Sequence, residues 1–249
     1  MFDLILVGTV HLDPQGRKGL YKLIENLQPS ILTVEISSFS VRYRLSNQEK
    51  WLLHLRKLKY KLPEERRGHP RLKLLKLQLY IPFEWEVAYR YGKANNVPCL
   101  AIDSGNLARN ELPLWKSEVL SRKNLLKITD EPDFDLDNHF KECHSQAKNA
   151  LVAPNHLPKP LHLLSWLSDR FWGKREKILA YRIRTVHGNG LSNTGSSSRT
   201  STYHVHICGW MHLMAGYPRK TLADLLWKLT PMRILLTRKG NGEPNHLIV

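Results

Sequence analysis

Cysteine is scarce: Cys99, Cys143 and Cys208 are the three in 249 residues. They are too few and too scattered for a disulfide framework and are expected as reduced, buried thiols. Long apolar runs are missing too. No stretch approaches the roughly 18 apolar residues that a membrane helix needs, and no basic segment precedes the short apolar run at 4–7 as a signal peptide requires. A soluble, cytoplasmic protein is the expectation. Acids are in short supply, with 22 Asp and Glu against 38 Lys and Arg and a formal net charge of +16. Such a molecule attracts polyanions or acidic substrates, less so at high salt. Gly-rich phosphate loops, RNA-binding aromatic motifs, helix-turn-helix signatures and solenoid repeats do not occur, which argues against dedicated nucleic-acid recognition.

What is present reads as one α/β domain spanning 1–249. Short aliphatic runs at 3–8, 31–36, 98–103, 204–209 and 233–237 have strand character. Between the first two, Leu20, Leu23, Ile24 and Leu27 recur at helical spacing, which makes a βαβ unit and a parallel pair. The expected fold is a mostly parallel central sheet flanked by helices, with a basic helical insertion at 39–91 serving as a lid. Further helices are expected at 107–127, up to about 152, and at 160–186. The Gly- and Ser-rich segment 187–202 reads as a flexible loop.

Two of the strand-like runs end alike: Gly8-Thr9-Val10-His11 and Gly209-Trp210-Met211-His212. With 14 Gly and 12 His, roughly 0.7 Gly-x-x-His matches arise by chance, so the context matters more than the pattern. In each case a glycine that permits a sharp turn delivers an imidazole just beyond a strand's carboxyl end, where ligands bind in open α/β sheets. Glu35 closes the second strand and Asp103 the third. A carboxylate within Leu32-Thr33-Val34-Glu35-Ile36 needs partners or a task, because an unpaired buried charge costs several kcal/mol. Two imidazoles plus one or two carboxylates suit Zn²⁺, Mn²⁺, Co²⁺ or Fe²⁺ with a position left for water. The metal-free alternative has one His as general base, oriented by Glu35, with Arg175 stabilising an oxyanion.

These segments resemble the TraB/PrgY pheromone-shutdown proteins and the Tiki proteases of the erythromycin esterase and ChaN-like group. The likeness runs through Leu-Val-Gly-Thr-Val-His and Pro29-Ser30-Ile31-Leu32-Thr33-Val34-Glu35. It continues in Glu84-Trp85-Glu86-Val87-Ala88, the strand ending in Asp103, Arg175-Glu176-Lys177-Ile178-Leu179-Ala180, and Gly209-Trp210-Met211-His212-Leu213. The resemblance implies an EreA/ChaN-like fold and a metal-dependent hydrolase acting on peptide or related amide and ester bonds. Its site would comprise His11, Glu35, Arg175 and His212, with Asp103 and Glu84 as secondary members. Trp210 and Met211 depart from the small residues common there, which motivates a third reading, a basic protein that binds peptides or polyanions at a degenerate site.

Two rival signals remain. His204, His206 and Cys208 alternate on one strand face, and His139 and Cys143 are helix neighbours, but neither group has a second pair at zinc spacing. Segment 42–76 carries twelve Lys and Arg against three Glu, interleaved with Trp51 and many leucines. Such a stretch can meet a polyanion or an acidic membrane surface, or it can form solvated lid helices packed on the sheet.

Overall fold

A computed structural model of the chain describes residues 3–152, 170–193, 203–216, 220–238 and 244–249. Its sheet has strands β1 (Asp3–Thr9), β2 (Ile31–Val34), β3 (Cys99–Ala101), β4 (Tyr203–Gly209), β5 (Met232–Arg238) and β6 (Pro244–Ile248) in the order β3-β2-β4-β1-β5-β6. All neighbours are parallel except β5 and β6. The fold is therefore α/β with a mixed, mostly parallel sheet.

Alternation along the strands builds two apolar layers. Ile5, Val7, Leu32, Val34, Val205 and Ile207 face one side, where α1 (Gly16–Leu27) and α4 (Phe83–Asn95) cover them with Leu20, Ile24, Val87 and Ala88. Leu4, Leu6, Cys208 and Leu235 face the other, beneath α7 (Leu136–Val152), α8 (Arg170–Asn193) and α9 (Leu222–Leu225). Helices on both faces bury the sheet, which explains why its central strands are aliphatic throughout.

The basic segment forms α2 (Ser38–Tyr60) and α3 (Pro70–Leu79). The Ser37 hydroxyl caps α2 by accepting from the Ser40 N–H, and Pro70 opens α3. Apart from Val41, Leu74 and Leu77, their apolar residues do not pack on the sheet as expected. Trp51, Leu55, Leu72, Leu75 and Leu79 make a third core with Leu112, Leu120 and Leu125. The helical elaboration is thus α2 and α3 joined to α5 (Asn106–Glu111) and α6 (Arg122–Ile128), whereas α4, expected in the lid, belongs to the sheet layer.

Three local readings change. The helix expected over 107–127 is broken, because Pro113 sits in a 3-10 turn and Ser121 caps a new helix by accepting from the Asn124 N–H. Helix α8 runs on to Asn193, so 187–193 is helical; buried His187, stacked on His204 at 5.7 Å, holds a turn that its glycines disfavour. The rest of that segment, like 160–169 of the expected long helix, lies outside the described residues. Cys99, Cys143 and Cys208 are free thiols, but only Cys208 is fully buried. No described helix is long and apolar enough to cross a membrane.

Candidate active site

The carboxyl ends of β1, β2 and β4 open on a pocket of about 540 Å³, walled on the far side by the elaboration and lined by His11, Glu35, Glu84, Asp103 and Arg175. The two Gly-x-x-His motifs meet there by interlocking. Strands β1 and β4 are adjacent with Gly8 opposite Cys208 and Thr9 opposite Gly209. A Cβ on Gly8 would stand 2.5 Å from Leu213 Cδ1 and 2.9 Å from Trp210 Cα, and one on Gly209 would stand 2.7 Å from His11 Nε2. Each motif's glycine thus makes room for the other motif. Neither glycine has a positive φ, so the need is for space rather than for the sharp turn expected from the sequence. In the loop after β1 the left-handed residue is Leu12, with φ 64°.

His11 is held by Glu84. Its Nδ1 lies 2.7 Å from Glu84 Oε1, which also accepts from the Thr9 hydroxyl at 2.8 Å. Glu84 is buried in the first turn of α4, where the helix N-terminus favours a carboxylate. A carboxylate only accepts, so Nδ1 carries the proton and the neutral ring presents a lone pair at Nε2. Half of the side chain, 55%, is accessible. Desolvation opposes the charged ring, but the attraction and hydrogen bond of Glu84, together with the charge of Glu35, raise the pKa. The loop that carries His11 is anchored at Asp13, which accepts from Arg238 Nε at 2.9 Å and pairs with His144 at 2.8 Å. Burial works against the Asp13 charge, yet His144 and Arg238 hold its pKa at about 2.

Glu35 lies at the centre of a charged cluster. Its Oε2 accepts from the Gly209 N–H at 2.8 Å, while Oε1 is 2.6 Å from Arg175 Nη2 and 2.9 Å from His212 Nε2. Arg175 also donates through Nε and Nη2 to Asp103 Oδ2, at 3.2 and 2.8 Å. Burial disfavours the Glu35 charge, but His212 and Arg175 outweigh it and hold the carboxyl well below the usual range. His212 does not line the pocket. It sits behind Glu35 with Nδ1 2.6 Å from Glu176 Oε1, and its ring stacks on Trp172 at 4.8 Å. Burial alone would lower its pKa; two glutamates push it up to about 10. His212 is an imidazolium at neutral pH.

These positions bear on the metal set of His11, Glu35, His212, Asp103 and Glu84. His11 belongs with Glu84, whereas His212 lies between Glu35 and Glu176 with both nitrogens facing carboxylates. Both His212 nitrogens are taken up by carboxylates, and an ion at Glu35 would have to displace Arg175. This arrangement does not fit a divalent ion, and among the described residues no group of three His, Cys, Asp or Glu is placed to hold one. His204 and His206 share the Thr33 hydroxyl, at 2.8 and 3.0 Å, and both are fully buried. Burial lowers their pKa values, to about 3 for His206. Cys208 Sγ lies 3.8 Å from the Val7 carbonyl, and Cys143 Sγ 3.8 Å from His139 Nε2. Trp210 and Met211 pack against the core beneath α7 to α9 and leave the pocket clear.

Glu176 escaped the sequence reading. It is fully buried at the position that Trp172, Leu179 and Ile183 mark as the inward stripe of α8. A glutamate on such a stripe is the signal that finds it. No family model, curated protein or solved structure matches the chain.

Proposed function

We propose that the pocket hydrolyses an ester or amide bond by direct attack of water, with His11 as general base. The observation that carries this reading is the His11–Glu84 pair, 2.7 Å apart, with the ring open to the pocket and Nδ1 engaged. Water would form the new C–O bond while its proton passes to Nε2, and the carbonyl electrons would move onto oxygen. Arg175, 30% accessible beside Glu35 and Asp103, would stabilise that oxyanion. Collapse would break the bond to the alcohol or amine, which takes the proton back from His11. Glu84 fixes the tautomer, and Glu35 positions Arg175. The reading keeps the hydrolase chemistry implied by the TraB/PrgY and Tiki resemblance and the EreA/ChaN-like architecture, without a metal step.

Hydrolysis of a peptide and ester library, with and without chelator, tests it. Chelator-resistant turnover that falls by about 10²- to 10⁴-fold in His11→Ala is expected. Turnover abolished by chelator and restored by Zn²⁺, Mn²⁺, Co²⁺ or Fe²⁺ would replace it with the metal-dependent reading. Absence of turnover would favour the binding protein, for which the groove of about 330 Å³ between α2 and α3, with Arg56, Lys59, Lys73 and Lys76, offers a surface for polyanions or acidic membranes.

A further inference from the structure

Among the described residues, one charged group lining the pocket has no partner of opposite charge or imidazole. Each lining acid already has a protein cation or imidazole: Asp13 has Arg238 and His144, Glu35 and Asp103 share Arg175, and Glu84 has His11. Of the lining cations, Arg17 pairs with Glu86 and Arg175 with Glu35 and Asp103. Arg44 is different. Among the described residues it has no carboxylate partner, although it lines the same pocket as His11.

Arg44 is nevertheless held in place. Its Nε donates to the Ser40 hydroxyl at 3.3 Å, and Nη1 donates to the Tyr80 carbonyl at 3.1 Å and to the Gln78 carbonyl. The guanidinium lies over the Trp115 ring, 4.7 Å from its centroid. Cation–π stacking and three neutral acceptors fix its plane without neutralising its charge, and Nη2 has no hydrogen-bond partner among the described residues. Burial lowers its pKa to about 10, as expected for a cation that lacks a counter-ion. The wall shared with the pocket is apolar, formed by Leu77, Ile81 and Phe83.

We propose that Arg44 is a specificity residue that binds an anionic group, carboxylate or phosphate, at the end of an apolar portion of the substrate. The reacting bond would lie at His11, so the inference rests on the hydrolytic reading for its chemistry but not for its binding site. The two free N–H bonds of Nη2 suit an anionic oxygen, and the missing counter-charge is what such a ligand brings.

Two measurements on the full chain separate the inference from the hydrolytic reading. Calorimetry with adipate and with hexyl phosphate reads binding alone. The wild type should bind at least one of them, and Arg44→Gln, which keeps a donor for the Gln78 and Tyr80 carbonyls, should weaken it by about ten- to a hundredfold. Arg44→Lys should fall between. Binding of neither anion by the wild type, or equal binding by a folded Arg44→Gln with an unchanged melting curve, would overturn the proposal. Where hydrolysis occurs, the ratio of kcat/KM for 4-nitrophenyl hydrogen adipate over 4-nitrophenyl hexanoate should collapse towards unity in Arg44→Gln. A structural defect would lower both values together and leave the ratio standing, which counts against the proposal. Anion binding without turnover would sink the hydrolytic reading and keep this one.

Discussion

His11 Nε2 occupies the space in which a side chain on Gly209 would begin, so a Cβ built there stands 2.7 Å from it. Gly8 stands in the same relation to Trp210 and Leu213. The two glycines differ in what a methyl group would displace. At Gly209 the neighbour is the tip of a half-exposed side chain that can swing away; at Gly8 it is backbone and a fully buried leucine. Gly8→Ala should destabilise by about 1–3 kcal/mol in urea denaturation. Gly209→Ala should lose less stability but at least about tenfold in kcat/KM, because it moves the base. Equal effects on stability and turnover for both variants would contradict this assignment.

Glu84 raises the pKa of His11 above the ordinary 6.5 and selects its tautomer. A general base works when neutral, so kcat/KM should rise with pH through an inflection above that value. Glu84→Gln should lower kcat/KM by about a hundredfold or more and move the inflection to lower pH. A pH–rate profile whose inflection stays in place would remove Glu84 from this role.

The cluster of Glu35, His212 and Glu176 is buried and charged. Removing the cation leaves Glu35 to Arg175 but strands the buried Glu176 without its imidazole neighbour, so His212→Ala should cost about 3–5 kcal/mol. Glu176→Gln in the same chain should restore part of that loss. The sign follows from a folded pKa raised to about 10. The contribution is complete below the unfolded value of about 6.5 and is lost as pH rises through about 10. Denaturation midpoints measured between pH 7 and 10 should fall for the wild type and fall less for His212→Ala.

His204 and His206 work in the opposite direction. Their folded pKa values are lowered, to about 3 for His206, so the unfolded chain takes up protons first as pH drops below 6.5. Each group then removes stability at ~1.4 kcal/mol per pH unit until its folded value is reached. His206→Gln should show a shallower decline between pH 6.5 and 4 than the wild type. The same slope in both proteins would mean that His206 is not buried as a neutral ring.

The strands from β1 to β5 are legible because aliphatic runs ending in Gly or Asp have no other stable home than a sheet covered on both faces. The edge strand β6 is not. Its first half, Pro244-Asn245-His246, is polar and the apolar Leu247-Ile248 that follows is too short to stand out, and an antiparallel edge strand requires no more. Likewise, Glu35 and Asp103 could be placed at strand ends from the sequence. Glu84, ranked with Asp103, entered only through the family resemblance, because it lies on a helix far along the chain from the histidine it holds.

By itself, the sequence determined the α/β pattern, the basic balance and the gathering of His11, Glu35 and Asp103 at one edge of the sheet. Local periodicity and chain direction suffice for that, since parallel strands put all their carboxyl ends on the same side. Only the tertiary structure decided which charges neutralise which. It gave His11 to Glu84, set His212 behind Glu35 against Glu176, and left Arg44 beside the pocket with no acid among the described residues. Ion pairing depends on distances of a few ångströms between residues far apart in the chain, and no spacing along the chain encodes those.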